Sequence, residues 1–493
     1  MGEFCMAYSS LKYIGFVLLA MLAYAVCPKR LRYLVLLAFS AAFIALAGGA
    51  ASLCFIYGSA LLTYGAARLT GDGGKRAAVG TGCVILIAAA LTVFKYGEYS
   101  LRLFSSVPGL AELGGLTGAG SVVVPLGISF YSLQLIAYLV DVRRGVVPAE
   151  RDFLKFALYV SWFPHIMQGP IARYKELGST LYSGAPLEYD RTASGAQLAL
   201  WGMAKKLIIA DRAKIVVDAV YASYNDYGGA MIVLATVLYA LQLYADFSGC
   251  VDISLGVSEI FGIRLGRNFA QPYLATSISE LWKRWHISLS TWLRDYIYIP
   301  LGGNRRGKLR KYCNLMLTFA LSGMWHGVGL NYLFWGLLHG TYQIIGQLTT
   351  PARERLAARL HIDRGCLPVH ILRTLITFLL TDFAYLFFRA NGLRTALDMA
   401  RRAIAAPELR SLLDGTVFTL GLGRAEALLL LVWLLIMVAV DILHECGLEL
   451  RRRVAGWPLP VRWTLYLGLI FAVLIFGKYG YGYNSADFIY MRF

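Results

Sequence analysis

Long apolar runs separated by short polar loops follow one another along almost the whole chain. A run of about 20 apolar residues is long enough to cross the hydrocarbon core of a bilayer as a helix. We expect about eleven such spans. The candidate runs lie at residues 11–27, 33–48, 51–67, 79–94, 121–140, 154–169, 193–210, 229–247, 327–348, 369–388, 426–443 and 463–478. The pattern predicts an all-α polytopic membrane protein.

Glycine and proline interrupt several of these runs, as at residues 125–127 and 169–170. Non-helical backbone at membrane depth is tolerated only where protein or a water-filled cavity shelters it. The interrupted runs therefore predict a cavity or a tunnel.

Two stretches lack the apolar character of a span. Residues 349–367 are predicted to form a surface helix, and residues 391–424 begin with an amphipathic run. Neither is long enough to bury a core of its own. We expect a single membrane-embedded domain over residues 1–493, with N-terminal helices at 1–120, a core at 121–348 and C-terminal helices at 349–493.

Composition and charge narrow the class of protein. The chain is 58% hydrophobic and 15% charged, with a formal net charge of +18. Its cations are scattered along the chain, for example Lys75 with Arg76 and Lys205 with Lys206, which we interpret as loop positions that anchor the protein against anionic lipid headgroups. This scatter argues against nucleic acid as a partner. The basic loops at 305–311 and 451–453 are predicted to be cytoplasmic, and the first apolar run is expected to be retained because it lacks a convincing cleavage site. The eight cysteines stand singly without metal-ligand spacing, so no metal site is expected.

The richest chemistry lies at residues 280–304. Helical spacing would place Trp282, Trp285 and His286 on one face, together with further apolar and aromatic residues. Trp and Tyr favour the boundary between lipid and water, so this segment is predicted to lie along the interface. It is either a packing helix or part of a reactive site.

His326 lies between two apolar runs in the sequence SGMWHG at 322–327. An ionisable side chain at membrane depth is a candidate functional group, and a neutral imidazole can be buried and still accept a proton. The alternative is a hydrogen-bonded packing histidine. His339 follows thirteen positions later and would face away on a continuous helix, which suggests a structural role. His165, beside the interrupted segment at 169–170, is a candidate for the same cavity.

Other motifs favour structure over chemistry. Asp246 ends an apolar run and either pairs with a nearby cation or takes part in catalysis. Residues 302–308 match a phosphate-binding loop only by chance, because Leu309 stands where a Ser or Thr is required. The sequence holds no nucleophile elbow of the GxSxG type.

An ordered set of motifs resembles the membrane-bound O-acyltransferase family. The set comprises WFPH at 162–165, QGPIARY at 168–174, DFSG at 246–249, Asn268 with Pro272 and Tyr273, WKRWHISLSTWLRDYIYIPLGGNR at 282–305 and MWHG at 324–327. The resemblance extends from about residue 124 to the C-terminus. The continuation IPLGGNR at 299–305 is similar to the bacterial branch that O-acetylates alginate or peptidoglycan, more than to the related branch that D-alanylates teichoic acid.

The resemblance implies a ring of about eleven tilted transmembrane helices, with interfacial and re-entrant helices, around a central tunnel. His326 matches the family's near-invariant histidine and His286 its second active-site histidine. We expect His326 to act as general base while His286, Trp325 and Asn304 orient donor or acceptor. The further tunnel candidates are Trp282, Trp285, His165 and Asp246.

The same resemblance implies substrates and partners. The donor is expected to be acetyl-CoA or another cytosolic acyl thioester, with no bound cofactor. A separate extracytoplasmic acetyltransferase would pass the acetyl group to a cell-envelope or exported polysaccharide, and membrane lipids would surround the protein in a bacterial cytoplasmic membrane. D-alanyl transfer to teichoic acid remains an alternative, as does a transporter that moves an acyl or lipid intermediate without forming a bond.

Overall fold

The computed structural model describes residues 6–70, 77–105 and 124–479. The basic pair Lys75 and Arg76 lies outside these ranges. Every regular element within them is helical, in agreement with the predicted all-α class.

The helices follow one another along the chain. They are α1 Leu11–Val26, α2 Arg32–Thr70, α3 Ala77–Ser105, α4 Ile128–Arg143, α5 Phe153–Ser161, α6 Tyr174–Leu181, α7 Tyr189–Ala204, α8 Asp211–Ala222, α9 Gly229–Ile260, α10 Ile278–Arg284, α11 Ile287–Leu293, α12 Lys308–His326, α13 Leu330–Arg359, α14 Leu367–Arg389, α15 Leu393–Ala405, α16 Arg424–Glu445, α17 Leu450–Ala455 and α18 Leu459–Phe476. Two π-helical segments, Lys205–Ala210 and Arg294–Tyr298, continue α7 and α11.

Within the described ranges, 6 helical segments are long and apolar enough to cross a membrane. They are Lys29–Thr70, Ala77–Gly97, Gly229–Ile260, Leu367–Arg389, Arg424–Glu445 and Leu459–Phe476. The protein is therefore a multi-pass membrane protein, while the expected total of about eleven spans stays a prediction. Two predicted spans, 33–48 and 51–67, fall in the single helix α2. A kink joins its halves, since Gly49 has φ 73°. At about 1.5 Å per residue, the 39 residues of α2 exceed the length that one crossing needs.

The described residues form two compact units. One holds the described residues up to Leu200 together with Cys250–Gly266, and the other holds Trp201–Gly249 and the described residues from Arg267 to Tyr479. The prediction of a single domain stays a prediction.

In the first unit, the predicted span at 154–169 is wrong in its second half. Helix α5 ends at Ser161, and the backbone then turns through buried residues. Side chains satisfy this irregular backbone: the Tyr8 hydroxyl donates to the Phe163 carbonyl at 3.0 Å and accepts from the Met167 N–H at 3.2 Å. Trp162 Nε1 donates to Ser258 Oγ at 3.0 Å. The helix ends here because Pro164 disfavours the helical conformation in the residue before it.

In the second unit, α12 and α13 form a close antiparallel hairpin. A Cβ atom on Gly336 of α13 would lie 2.2 Å from the Phe319 carbonyl oxygen of α12, and one on Gly323 would lie 2.2 Å from the Tyr332 carbonyl oxygen. Only glycine permits backbones to approach this closely. The hairpin turns at residues 327–329, directly after His326.

The interfacial segments differ in part from their predictions. The stretch 280–304 is not one helix: α10 ends at Arg284, and α11 begins at Ile287. The predicted surface helix at 349–367 is largely the end of α13, which continues to Arg359. Helix α15 forms where the amphipathic run at 391–424 begins.

Candidate active site

His286 occupies the turn between α10 and α11 and is fully buried. Its backbone adopts the left-handed conformation, with φ 45° and ψ 53°. The segment at 268–270 runs beside this turn. The Ala270 N–H donates to the Arg284 carbonyl at 2.9 Å, and the Ile287 N–H donates to the Asn268 carbonyl at 3.0 Å. These two backbone bonds hold the turn on both sides of His286.

The side chain of Asn268 contacts three groups of this turn through one oxygen. Oδ1 accepts the backbone N–H of Ser288 at 3.0 Å and the hydroxyl of Ser288 at 2.9 Å. It also lies 3.3 Å from Nδ1 of His286. Asn268 thereby supplies the cap that α11 lacks locally, because its N-cap residue, His286, makes no side-chain cap hydrogen bond.

His326 is the last residue of α12 and is buried, with 2% of its surface exposed. Its imidazole ring lies 6.4 Å from that of His286, measured between centroids. Trp325 is half-buried beside both rings, at 4.9 Å from His326 and 6.0 Å from His286. The structure thus brings together the two histidines that the motif match singled out.

Aromatic rings from α13 and α14 enclose the other side of His326. Trp335 lies at 5.1 Å and Phe388 at 5.3 Å. Trp335 in turn contacts His339 at 5.0 Å, and Trp282 donates from Nε1 to Nδ1 of His339 at 3.3 Å. Helix α13 folds back on α12 and does not continue it, so the two histidines do not share one helix. The structural role expected for His339 stays a prediction.

The remaining predicted residues lie in different surroundings. Trp285 is buried among other rings, including Tyr273, whose ring stacks on it at 5.9 Å. Asn304 is exposed in the loop before α12. His165 is buried in the first unit, whereas His286 and His326 belong to the second unit.

Asp246 belongs to a buried ion-pair network in the second unit. Nζ of Lys206 lies 2.9 Å from Asp246 Oδ1 and 2.8 Å from Asp211 Oδ1. The interpretation of Lys205 and Lys206 as loop cations is wrong: both are buried, and Nζ of Lys205 donates to Ser248 Oγ at 2.8 Å. A buried lysine is tolerable here because carboxylates neutralise it.

The ion-pair network is connected to His286 through Phe247, the residue next to Asp246. Phe247 follows Asp246 in α9, and its ring lies 4.8 Å from that of His286. Anchoring Asp246 therefore also fixes the residue whose ring packs against His286.

The electrostatics of the site favour neutral imidazole. Burial lowers the pKa of His286 to about 3, so this ring is uncharged at physiological pH. Across the described ranges, no three His, Cys, Asp or Glu side chains are arranged to hold a metal ion. The chemistry that these residues offer is proton transfer and hydrogen bonding.

The two imidazole rings are close neighbours, with 6.4 Å between their centroids. One bound group can therefore lie beside both rings.

Several residues of the site have no clear periodic signal in the sequence. Asn268 lies in an irregular segment, and Phe247, Trp335 and Phe388 are aromatic residues of apolar helices. The sequence signal at Asn268 was its place in the family motif set with Pro272 and Tyr273, whereas its burial and its contacts with His286 are visible only in the fold.

Comparison with known proteins identifies the family. The model of the membrane-bound O-acyltransferase family matches residues 149–387, a range that includes both histidines. A "Probable alginate O-acetylase AlgI" of Pseudomonas syringae pv. tomato is 38% identical over 320 residues, which cover 64% of this chain and 58% of the relative. A "Peptidoglycan O-acetyltransferase" of Helicobacter pylori is 35% identical over 306 residues, covering 57% of this chain and 56% of the relative.

The chain thus spans less than two thirds of the length of these relatives, at 58% and 56%. A further relative matches over more of both chains. A "Probable alginate O-acetylase AlgI" of Azotobacter vinelandii is 35% identical over 366 residues, which cover 73% of this chain and 68% of the relative. With this extent of similarity, and with its two motif histidines side by side in a buried aromatic site, the chain belongs to the membrane-bound O-acyltransferase family.

Proposed function

We propose that this protein is a membrane O-acyltransferase that moves an acyl group, specifically acetyl, from a cytosolic thioester such as acetyl-CoA for O-acetylation of a polysaccharide. The observation that carries the proposal is the buried pair of His286 and His326, with rings 6.4 Å apart, in a chain of this family.

His326 acts as the general base in this proposal. The acceptor hydroxyl loses its proton to the imidazole as its oxygen attacks the thioester carbon. The carbon–sulfur bond then breaks, and the thiolate takes the proton from the imidazolium. His286 orients the donor or the acceptor. The enclosing rings of Trp335 and Phe388 exclude water, which would otherwise hydrolyse the activated acyl group.

The acceptor and the partner are inferred from the relatives. The names of these relatives point to alginate and peptidoglycan as acetylated polymers. We propose an acceptor of this class and a separate extracytoplasmic acetyltransferase that receives the acetyl group and delivers it to the polymer. The direct test uses liposomes with acetyl-CoA inside and polysaccharide outside. Acetylation should be slow until the partner is added, and efficient transfer without a partner would contradict the relay.

Two other functions are separable by one assay. A transporter would move an acyl or lipid intermediate without releasing free thiol from the donor, whereas an acyltransferase releases coenzyme A in proportion to acceptor. A D-alanyl transferase would use a D-alanyl thioester in preference to acetyl-CoA. Purified protein given each donor in turn distinguishes the three, with His326→Ala as the inactive control.

The proposed location is a bacterial cytoplasmic membrane, with the basic loop at 305–311 on the cytoplasmic side. Lys308 lies in the middle of this stretch and begins α12. A cysteine placed at Lys308, in a background where the exposed native cysteines are replaced, should react with an impermeant thiol reagent only after the cells are opened. Labelling in intact cells would contradict the proposed cytoplasmic position of this loop.

A further inference from the structure

Hydrogen bonding around Asn268 determines which nitrogen of His286 carries a proton. The backbone N–H of Ser288 is a donor that cannot act as an acceptor. The amide atom that faces it at 3.0 Å must therefore be the oxygen of Asn268, which excludes the flipped orientation of the amide. The Ser288 hydroxyl donates to the same oxygen at 2.9 Å and adds to this restraint.

Nδ1 of His286 lies 3.3 Å from that same oxygen. Because the oxygen can only accept, Nδ1 must carry the hydrogen. Burial keeps the ring neutral, and a neutral imidazole carries one N–H only. The other nitrogen, Nε2, therefore has a lone pair and acts as an acceptor.

We propose that Asn268 is a positioning residue that holds His286 as the Nδ1–H tautomer, so that Nε2 accepts a hydrogen bond from a substrate donor other than the proton that His326 removes. In this form His286 cannot donate to the acyl oxygen of the thioester. The role of Nε2 in substrate binding rests on the proposed function, whereas the tautomer does not.

The surroundings of the turn support a purpose beyond packing. Asn268 is 1% exposed and His286 is fully buried, so water does not exchange for these bonds. The left-handed conformation of His286, at φ 45°, is unfavourable for a residue with a side chain. That conformation persists because the backbone bonds of residues 268–270 and the Asn268 side chain over-determine it.

Among the rings that the described part of the chain places around His286, His326 titrates and lies 6.4 Å away between centroids, whereas Phe247 and Trp325 do not titrate. The protonation of His286 must therefore be resolved from that of His326, which nitrogen-specific spectroscopy allows.

The test is ¹⁵N NMR of the full-length protein in detergent, with ¹⁵N-labelled histidine and His286→Gln to assign the signals. His286 should show a protonated Nδ1 and an unprotonated Nε2 at neutral pH. Asn268→Ala should produce a mixture of tautomers and reduce kcat by about tenfold to a hundredfold, the range typical of lost supporting hydrogen bonds. Wild-type protein with a protonated Nε2, or Asn268→Ala protein with an unchanged tautomer, would refute the proposal.

Asn268→Asp covers the case in which the alanine variant fails to fold, since a carboxylate preserves the acceptor oxygen and the cap of α11. The Nδ1–H tautomer should remain, and protonation of Nε2 should begin at a higher pH than in the wild type because the carboxylate stabilises imidazolium. An unmoved titration would overturn the role of Asn268. The matched control is Asn314→Ala, which removes another buried asparagine, bonded to the Leu301 and Gly303 carbonyls, and should leave the His286 signals unchanged.

The outcomes separate this inference from the proposed function. If wild-type protein shows the Nδ1–H tautomer but transfers no acyl group from any thioester, the proposed function fails and the tautomer assignment stands. If transfer occurs and the tautomer is the opposite one, only the role of Asn268 and His286 fails.

Discussion

Alanine at Gly336 should separate α12 from α13 and displace the rings around His326. The added Cβ would lie 2.2 Å from the Phe319 carbonyl oxygen and 3.2 Å from the backbone nitrogen of Gly323. A carbon–oxygen contact normally needs about 3.3 Å, so the helices must move apart by about 1 Å. Overpacking of this kind costs about 1–3 kcal/mol of stability.

The displacement should reduce activity more than stability. Trp335 precedes Gly336, and its ring lies 5.1 Å from that of His326. A misplacement of about 1 Å at a reactive site costs about a hundredfold in rate. We therefore expect Gly336→Ala to lose about two orders of magnitude in kcat and to melt several degrees lower in detergent.

Gly346→Ala is the matched control on the same helix. A Cβ at Gly346 meets nothing within 4 Å. Replacing this helical glycine should stabilise the protein by about 0.5–1 kcal/mol through backbone entropy and leave acyl transfer unchanged. Thermal unfolding and coenzyme A release are measured on both variants. Full activity with an unchanged melting temperature in Gly336→Ala would refute the close-approach argument.

Three further predictions concern ionisable groups. His326→Ala should abolish acyl transfer with normal membrane insertion, while His286→Ala should retain residual activity because an orienting group contributes less than the base. Lys206→Met should destabilise the protein by about 3–5 kcal/mol in thermal or denaturant unfolding, since it leaves buried carboxylates without their cation. Burial lowers the pKa of His286 to about 3 from about 6.5 in the unfolded chain. The unfolded state therefore binds more protons in this window, and stability should fall as the pH is lowered from about 6.5 towards 3. His286→Gln should reduce that dependence, and the same change at the exposed His361 should not.

Each of these predictions would be contradicted by one specific result. Wild-type acetylation by His326→Ala would exclude the base role. A melting temperature of Lys206→Met equal to that of the wild type would show that the network contributes no stability. Equal pH dependence of unfolding in His286→Gln and the wild type would place the acid sensitivity elsewhere.

The fold class followed from hydrophobic run length alone, because the cost of exposing backbone to lipid leaves few ways to arrange long apolar segments. The sequence predictions that were wrong concern positions where tertiary contacts override helical periodicity. Helical spacing predicted that Trp282 and His286 lie on one continuous helical face. The helix instead ends between them, because Asn268, 18 positions before His286, caps a new helix at this point. A single-sequence pattern has no access to a partner that comes from another segment.

The surroundings of His339 and Lys206 likewise depend on how separate segments of the chain pack together. His339 was placed away from the site by counting along one helix, whereas the turn at 327–329 reverses the chain. Lys206 was taken for a loop cation because charge in an apolar chain is normally solvated. Its carboxylate partner Asp246 lies 40 positions later, at a distance that only the packing of helices reveals.

The pairing of Lys206 with Asp246 also has a consequence for how the chain enters the membrane. Asp246 lies in the candidate span Gly229–Ile260, and an unpaired carboxylate at the centre of an inserting helix costs about 2.5–3.5 kcal/mol. Lys206 leaves the ribosome first. If its segment remains beside the insertion site until α9 arrives, the two charges enter as a neutral pair. Biogenesis of the second unit then depends on the order in which these helices are synthesised, and a circular permutation that separates them would impair insertion even where the final fold is compatible.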